Sequence, residues 1–225
     1  MIDFLLSPMI TLGWPISYIE VIILAFNIAS VFLASRNSSL NYSVGLVGIF
    51  TYMWLCYVLA FYSEFFLQIV FAIMSIIGLI MWRANAGKPL LKITDTTWLQ
   101  DLVIITVLVA GTAFVGSNID IIFSTFVSML VLPVMDAITG TVHEYIHVPA
   151  SYPYIDAFTS TAQVVAMWLM VKRKIQCWYL WITIDIVSIP MFAFKGGYGI
   201  SVMFMVFLCL AIYGLLNWRK LKAAQ

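Results

Sequence analysis

One carboxylate stands apart from the other acids of this chain. Asp185 lies about eight residues into an apolar run from Cys177 to Phe194. If that run crosses a bilayer, the acid sits near its centre, where insertion costs ~2.5–3.5 kcal/mol, so it must face a cavity or a partner. A hydrogen bond to a neighbouring helix is the structural reading, and a counter-charge for a bound cation is the functional one. Trp178 and Trp181 precede Asp185 by seven and four residues, so on a helix all three share a face. Aromatic rings beside a carboxylate suit a flat cation through stacking, cation–π attraction and charge pairing. Trp178 also reads as an anchor at the membrane interface.

A second stripe is Gln68, Phe71, Ser75, Gly78 and Trp82, spaced alternately by three and four. The Gln68 amide offers donors and an acceptor for sugar hydroxyls or an amide. Its alternative is an interhelical hydrogen bond, worth only ~0.6 kcal/mol on average. Asn27, Asn41 and Gln163 are weaker polar candidates of the same kind. The expected substrate-binding set is Trp178, Trp181, Asp185, Gln68, Phe71, Asn41, Tyr52 and Ser188, with no catalytic residue, metal or cofactor.

A competing pattern is His143-Glu144-Tyr145-Ile146-His147, which matches the H-E-x-x-H zinc motif. That chemistry needs a helix, a third ligand and a wet cleft. Pro149 and Pro153 follow at once and no third ligand suggests itself, so a polar outer loop is the preferred reading. Cys56, Cys177 and Cys209 are scattered without C-x-x-C spacing and read as small buried hydrophobes.

The elements that hold these residues follow from composition. Of 225 residues, 64% are hydrophobic and 9% charged, and the mean hydropathy is +1.05. Soluble domains carry about a quarter charged residues, so lipid must solvate much of this chain. No basic patch points to nucleic acid, and Met1–Gly13 lacks the Lys, Arg and A-x-A site of a cleaved signal. Eight windows approach the ~20 apolar residues of a spanning helix: 19–35, 41–59, 65–82, 98–116, 119–137, 155–171, 177–194 and 198–218.

An internal repeat organises these windows. At an offset of 136 residues, Glu20 pairs with Asp156, Arg36 with Lys172, Tyr42 with Trp178 and Tyr62 with Tyr198. Phe71 pairs with Phe207, Gly78 with Gly214, Trp82 with Trp218 and Arg83 with Arg219, without a gap. Lys and Arg accumulate on the cytoplasmic side of membranes. With the N-terminus outside, three spans per repeat and one between, ten of the eleven Lys and Arg residues lie inside, Lys195 being the exception. If both linker windows crossed, the second repeat would invert and expose Lys172–Lys174 outside.

The expected architecture is therefore an all-α integral membrane protein of seven transmembrane helices, arranged 3+1+3 as parallel repeats. Its parts are an outer segment 1–18, a first repeat 19–83, a linker 84–154, a second repeat 155–219 and a cytoplasmic tail 220–225. Within the linker, 98–116 spans, whereas 119–137 stays outside as an interfacial, re-entrant or subunit-packing segment. Parallel repeats of this kind place substrate near the midplane where the halves meet.

These residues also resemble a known family. The second repeat, from D-A-F-T-S at Asp156 through K-R-K, C-W-Y-L-W-I-T-I-D-I-V-S-I-P and F-K-G-G-Y, is similar to the PnuC family of nicotinamide riboside transporters. The first repeat adds L-N-Y-S-V-G at Leu40 and F-Y-S-E-F-F-L-Q at Phe61. The resemblance implies a SWEET-like fold, a homotrimer, a central site in each protomer, and facilitated diffusion of substrate that is trapped by phosphorylation. By motif position, Trp178, Trp181, Asp185 and Gln68 match the family's substrate contacts. The chain departs from the family where many members read Y-G-W-x-x-W and it reads I-G-L-I-M-W, and at Gly48 and Ser75, where polar residues are common. The function expected is uptake of nicotinamide riboside across a bacterial-type inner membrane. Another flat vitamin such as thiamine is the first alternative, and a zinc hydrolase built on His143 and His147 is a distant one.

Overall fold

The computed structural model describes residues 8–11, 15–58, 62–83, 92–126, 128–129, 132–142, 152–194 and 198–225. Two short strands, β1 (Pro8–Thr11) and β2 (Pro15–Ser17), pair antiparallel ahead of a helical bundle. The chain is thus nearly rather than wholly helical, because Pro8–Thr11 and Pro15–Ser17, in the segment expected to lie outside, are paired strands. The helices are α1 (Tyr18–Ser35), α2 (Leu40–Val58), α3 (Tyr62–Arg83), α4 (Trp98–Phe126), α5 (Leu132–Thr139), α6 (Pro153–Val171), α7 (Gln176–Phe194) and α8 (Tyr198–Ala223).

The described residues therefore hold eight helices where seven were expected. The additional one, α5, has 8 residues and reaches only ~12 Å, far short of the ~30 Å hydrocarbon core. Four helices are long and apolar enough to cross a membrane by length and composition: Tyr18–Ser35, Trp98–Asn118, Gln176–Phe194 and Ile200–Ala223. Shorter apolar helices run over Leu40–Cys56 and Leu67–Trp82. α6 is not among these apolar helices and is one of the best covered, with Ala157, Thr159, Ala162 and Ala166 buried against α3, α4 and α7. A helix sheathed by other helices needs less apolar surface than one facing lipid.

The linker departs from expectation at Ser117 and Asn118, where the helix was expected to stop. The Ser117 hydroxyl donates to the Ala113 carbonyl (2.7 Å) and the Asn118 amide to the Phe114 carbonyl (2.9 Å). Both polar groups are satisfied inside the helix, so α4 runs on to Phe126 and absorbs the first part of the 119–137 segment. Its 29 residues extend ~43 Å, more than a bilayer core requires. The His143–His147 motif, Asp3, Lys88 and Lys195 lie outside the described residues.

Local signals set the helix ends. Ser17 and Glu20 form a capping box at the start of α1, the Ser17 N–H donating to the Glu20 carboxylate at 2.8 Å. The α1–α2 and α6–α7 turns are built alike. After each helix comes a residue with positive φ, Asn37 at 57° and Arg173 at 53°. Ser38 N–H bonds to Leu33 O and Asn37 N–H to Ala34 O, and Lys174 and Arg173 repeat the pattern with Leu169 and Met170. This is the Schellman arrangement, in which Gly or Asn normally occupies the left-handed position. An arginine there costs roughly 1–2 kcal/mol.

The packing order is α1 on α2, α2 on α3, α6 on α7 and α7 on α8, with α1 against α8 and α3 against α6 joining the two halves. α4 packs chiefly on α6, where Gly111 admits the Thr161 side chain and Gly116 the Tyr154 ring. The segment preceding α4 straps across the second half. Thr94 bridges Lys174, its N–H bonding to Arg173 O, while Thr96 N–H bonds to the Gln176 side chain and Ile93 N–H to that of Gln225. Lys222 pairs with Asp95. Arg36, Lys92, Lys172–Lys174 and Arg219–Lys222 consequently gather at one end of the bundle, the basic end.

Candidate functional site

Trp181, Asp185 and Ser188 follow one another along one face of α7. Asp185 is 3% exposed and Ser188 is buried. No hydrogen bond or ion pair reaches the Asp185 carboxylate among the described residues, so the structural reading, a bond to a neighbouring helix, is not realised. Trp181 packs over Ala162 and Ala166 of α6, and its indole N–H is enclosed without an acceptor. Just beyond them Pro190 removes the helical bond to the Ile186 carbonyl, while the Ser201 hydroxyl of α8 donates to Ile189 O at 2.8 Å. A buried acid, an unsatisfied indole donor and a hydroxyl thus share one face, a combination whose chemistry suits a cation that also accepts hydrogen bonds.

The remaining candidates divide. Gln68 on α3 is buried and makes no hydrogen bond among the described residues, so its interhelical alternative is not realised there either. Phe71 is half-buried on the same stripe, where Ser75 and Trp82 are buried. Asn41 stands at the start of α2, with its backbone carbonyl taken by the Ser30 hydroxyl and its side-chain oxygen buried without a donor. Tyr52 packs against Ile19, Ile23 and Leu55 in the far half of α2. Trp178 is fully buried, its ring pressed on Gly214 and edge-on to Trp218 (5.6 Å between centroids). Protein encloses this ring, placing it with the basic-end cluster rather than at an interface.

Two surface clefts flank the bundle. One, about 370 Å³, lies between Tyr179, Arg219, Lys222 and Asp95 at the basic end, and the other, about 340 Å³, between Ile19, Phe50, Thr51 and Trp54. Neither contains Trp181, Asp185, Ser188 or Gln68.

Sequence reasoning missed the bonds that tie the two halves together. The Trp82 indole donates to Val171 O and the Trp218 indole to Ala34 O, both at 3.0 Å, and the Asn217 amide donates to Ser35 O at 2.9 Å. The Arg173 guanidinium lies 4.0 Å above the Trp82 ring, and burial lowers its pKa from the ordinary arginine value. The matched Trp82 and Trp218 of the 136-residue register were the available signal, though their partners are backbone carbonyls that carry no side-chain pattern.

Apolar helices long enough to cross a bilayer, packed around a buried acid, define a polytopic membrane protein. A family model described as nicotinamide mononucleotide transporter matches residues 17–220, and the chain belongs to that family. It is 24% identical over 208 residues to the nicotinamide riboside transporter PnuC of Escherichia coli K12, covering 92% of this chain and 87% of that one. The PnuC of Neisseria mucosa is 26% identical over 220 residues, with 92% and 74% covered. A shorter match, 27% over 67 residues, joins 29% of this chain to 31% of the riboflavin/roseoflavin transporter RibM of Streptomyces davaonensis. The crystal structure of the vitamin B3 transporter PnuC shares the fold, with a TM-score of 0.66 at 23% identity over 92% of this chain and 83% of that chain.

Proposed function

We propose that this chain carries nicotinamide riboside across a bacterial-type inner membrane by facilitated diffusion with alternating access. The observation that carries the reading is the buried, unpartnered Asp185 with Trp181 one turn before it. A pyridinium ring is flat and positive, so it stacks on an indole and neutralises a carboxylate in one pose. A ribose supplies acceptors for the Trp181 N–H and hydroxyls for Ser188 and Gln68. Phe71 lines the first-repeat side, with Tyr52 toward the outer end and Asn41 and Trp178 backing the site from the basic end.

The finer architecture is part of the same proposal: seven spans as 3+1+3 parallel repeats in the SWEET-like manner, N-terminus outside and C-terminus cytoplasmic, assembled as a homotrimer. The gathering of the described basic residues at one end supports the orientation, and the recurrence of the Tyr42–Trp82 and Trp178–Trp218 ring contacts at the 136-residue offset supports the repeats. The test is calorimetry on purified protein with nicotinamide riboside and with thiamine, and with Asp185→Asn alongside. Riboside binding that collapses in the variant is the expected result. Thiamine binding alone would replace the substrate, and riboside binding untouched by Asp185→Asn would remove the charge pairing.

A further inference from the structure

The indole bonds between the halves do more than hold the bundle together. All lie at the basic end, and each runs from the third helix of one half to the first helix of the other. Trp82, near the end of α3, donates to the last residue of α6, and Trp218, near the end of α8, donates to Ala34 in the last turn of α1, joined by Asn217 to Ser35. Trp82 and Trp218 also meet each other, with ring centroids 6.4 Å apart. Beneath them, Tyr42 lies edge-on to Trp82 and Trp178 edge-on to Trp218, so the four rings form a continuous layer across the bundle. Gly78 and Gly214 let that layer close, since a Cβ at either would stand 2.4 Å from Tyr42 or 2.6 Å from Trp178.

Three features separate this layer from ordinary core. It joins the two halves along their chief described contacts, α1–α8 and α3–α6. Its acceptors are carbonyls in the last turn of a helix, where backbone groups run short of intrahelical donors and can take an outside one; Ala34 O also accepts from the turn-forming Asn37 N–H. It is also locked by Arg173, whose residue adopts the unfavourable left-handed backbone while its guanidinium sits over Trp82. Strain at such a position is retained where the surrounding structure uses it.

We propose that Trp82 and Trp218, with Asn217 and Arg173, form the cytoplasmic gate of the carrier. The gate rests on the alternating-access reading given above. Closed, the crossed indoles separate the Asp185 site from the basic end. Opening breaks the three interhalf hydrogen bonds and lifts Trp82 from under Arg173, and the halves part at their basic ends. Each lost bond shifts the open-to-closed ratio by roughly five-fold.

The test uses the full chain in lipid nanodiscs, spin-labelled at Arg36→Cys and Lys220→Cys, with the exposed Cys209 replaced by Ala. These positions sit on the ends of the two halves and are exposed. Electron–electron resonance distances are compared for the parent chain, for Trp82→Phe with Trp218→Phe, and for Asn217→Leu, which deletes one bond without touching the aromatic layer. The expected result is enrichment, in both variants, of the longer distance that the parent samples as a minority, by roughly 25-fold for the double variant and five-fold for Asn217→Leu. An unchanged distribution, or a distance the parent never samples, overturns the gate. Should the double variant not fold, Asn217→Leu decides alone. Riboside binding is measured on the same samples: a parent that binds no riboside while the variants still open refutes the substrate and leaves the gate standing.

Discussion

Tyr42 and Trp178 fill the same place in their two halves, each edge-on to a tryptophan at the end of a third helix and each pressed on a glycine one turn before it. About one to three turns further along α2 and α7 the match ends. There Gly45 corresponds to Trp181, Ile49 to Asp185 and Tyr52 to Ser188. A contact between two like halves needs the same shape on both sides. A ligand charged at one end and hydroxylated at the other is not symmetric, and one site between two halves needs one counter-charge. A second acid at position 49 would cost another ~2.5–3.5 kcal/mol with nothing to neutralise. The steric setting follows suit, since Ala162 and Ala166 leave room for the Trp181 ring while Gly45 sits tight against Ser30.

This contrast can be broken in several ways. The largest effect is expected from Asp185→Ala, which removes the only counter-charge proposed for the cation. Riboside affinity should fall by two orders of magnitude or more, given ~3–5 kcal/mol for breaking a buried charge pair, with the protein still folded by size-exclusion chromatography. Moving the acid in Ile49→Asp/Asp185→Ile should fail to restore binding in calorimetry, because position 45 offers no ring; restored binding would mean the halves are interchangeable. Trp181→Ala should weaken binding ~10–100-fold, the range of one aromatic stacking partner.

Smaller effects should appear at the basic end and should be equal. Gly78→Ala and Gly214→Ala each force a Cβ into an aromatic ring, so each should cost about 1–3 kcal/mol of stability, read as a lower thermal midpoint in detergent. Unequal losses would show that the two halves of the layer are not equivalent. Gln68→Ala should be mildest, about three-fold in affinity, as for one modest hydrogen bond.

Much of the bundle was legible in sequence because lipid as solvent imposes a length on every apolar run, and six windows meet α1–α3 and α6–α8 within a few residues at almost every boundary. The proposed 136-residue register rests on Gly, Trp and Arg recurring in it. The end of α4 was not legible, since Ser117 and Asn118 resemble a stop until their side chains are seen to bond back along the helix. Of the site, the common face of Trp181, Asp185 and Ser188 follows from helical spacing alone. Spacing could not separate Trp178 from Trp181, because three residues of one helix face look alike until Gly214 and Trp218 close over one of them. The crossed indole bonds were invisible because their acceptors are backbone.

The seating of α4 bears on how the chain enters the membrane. Its chief neighbour is α6, not the helices that precede it. A ribosome working at about 5–20 residues per second delivers α4 several seconds before α6 is available to cover Gly111 and Gly116. During that interval the first three helices can pair among themselves while α4 stands alone in lipid. A nearly continuous apolar surface, long enough to stay inserted unaided, is what such an orphaned span requires.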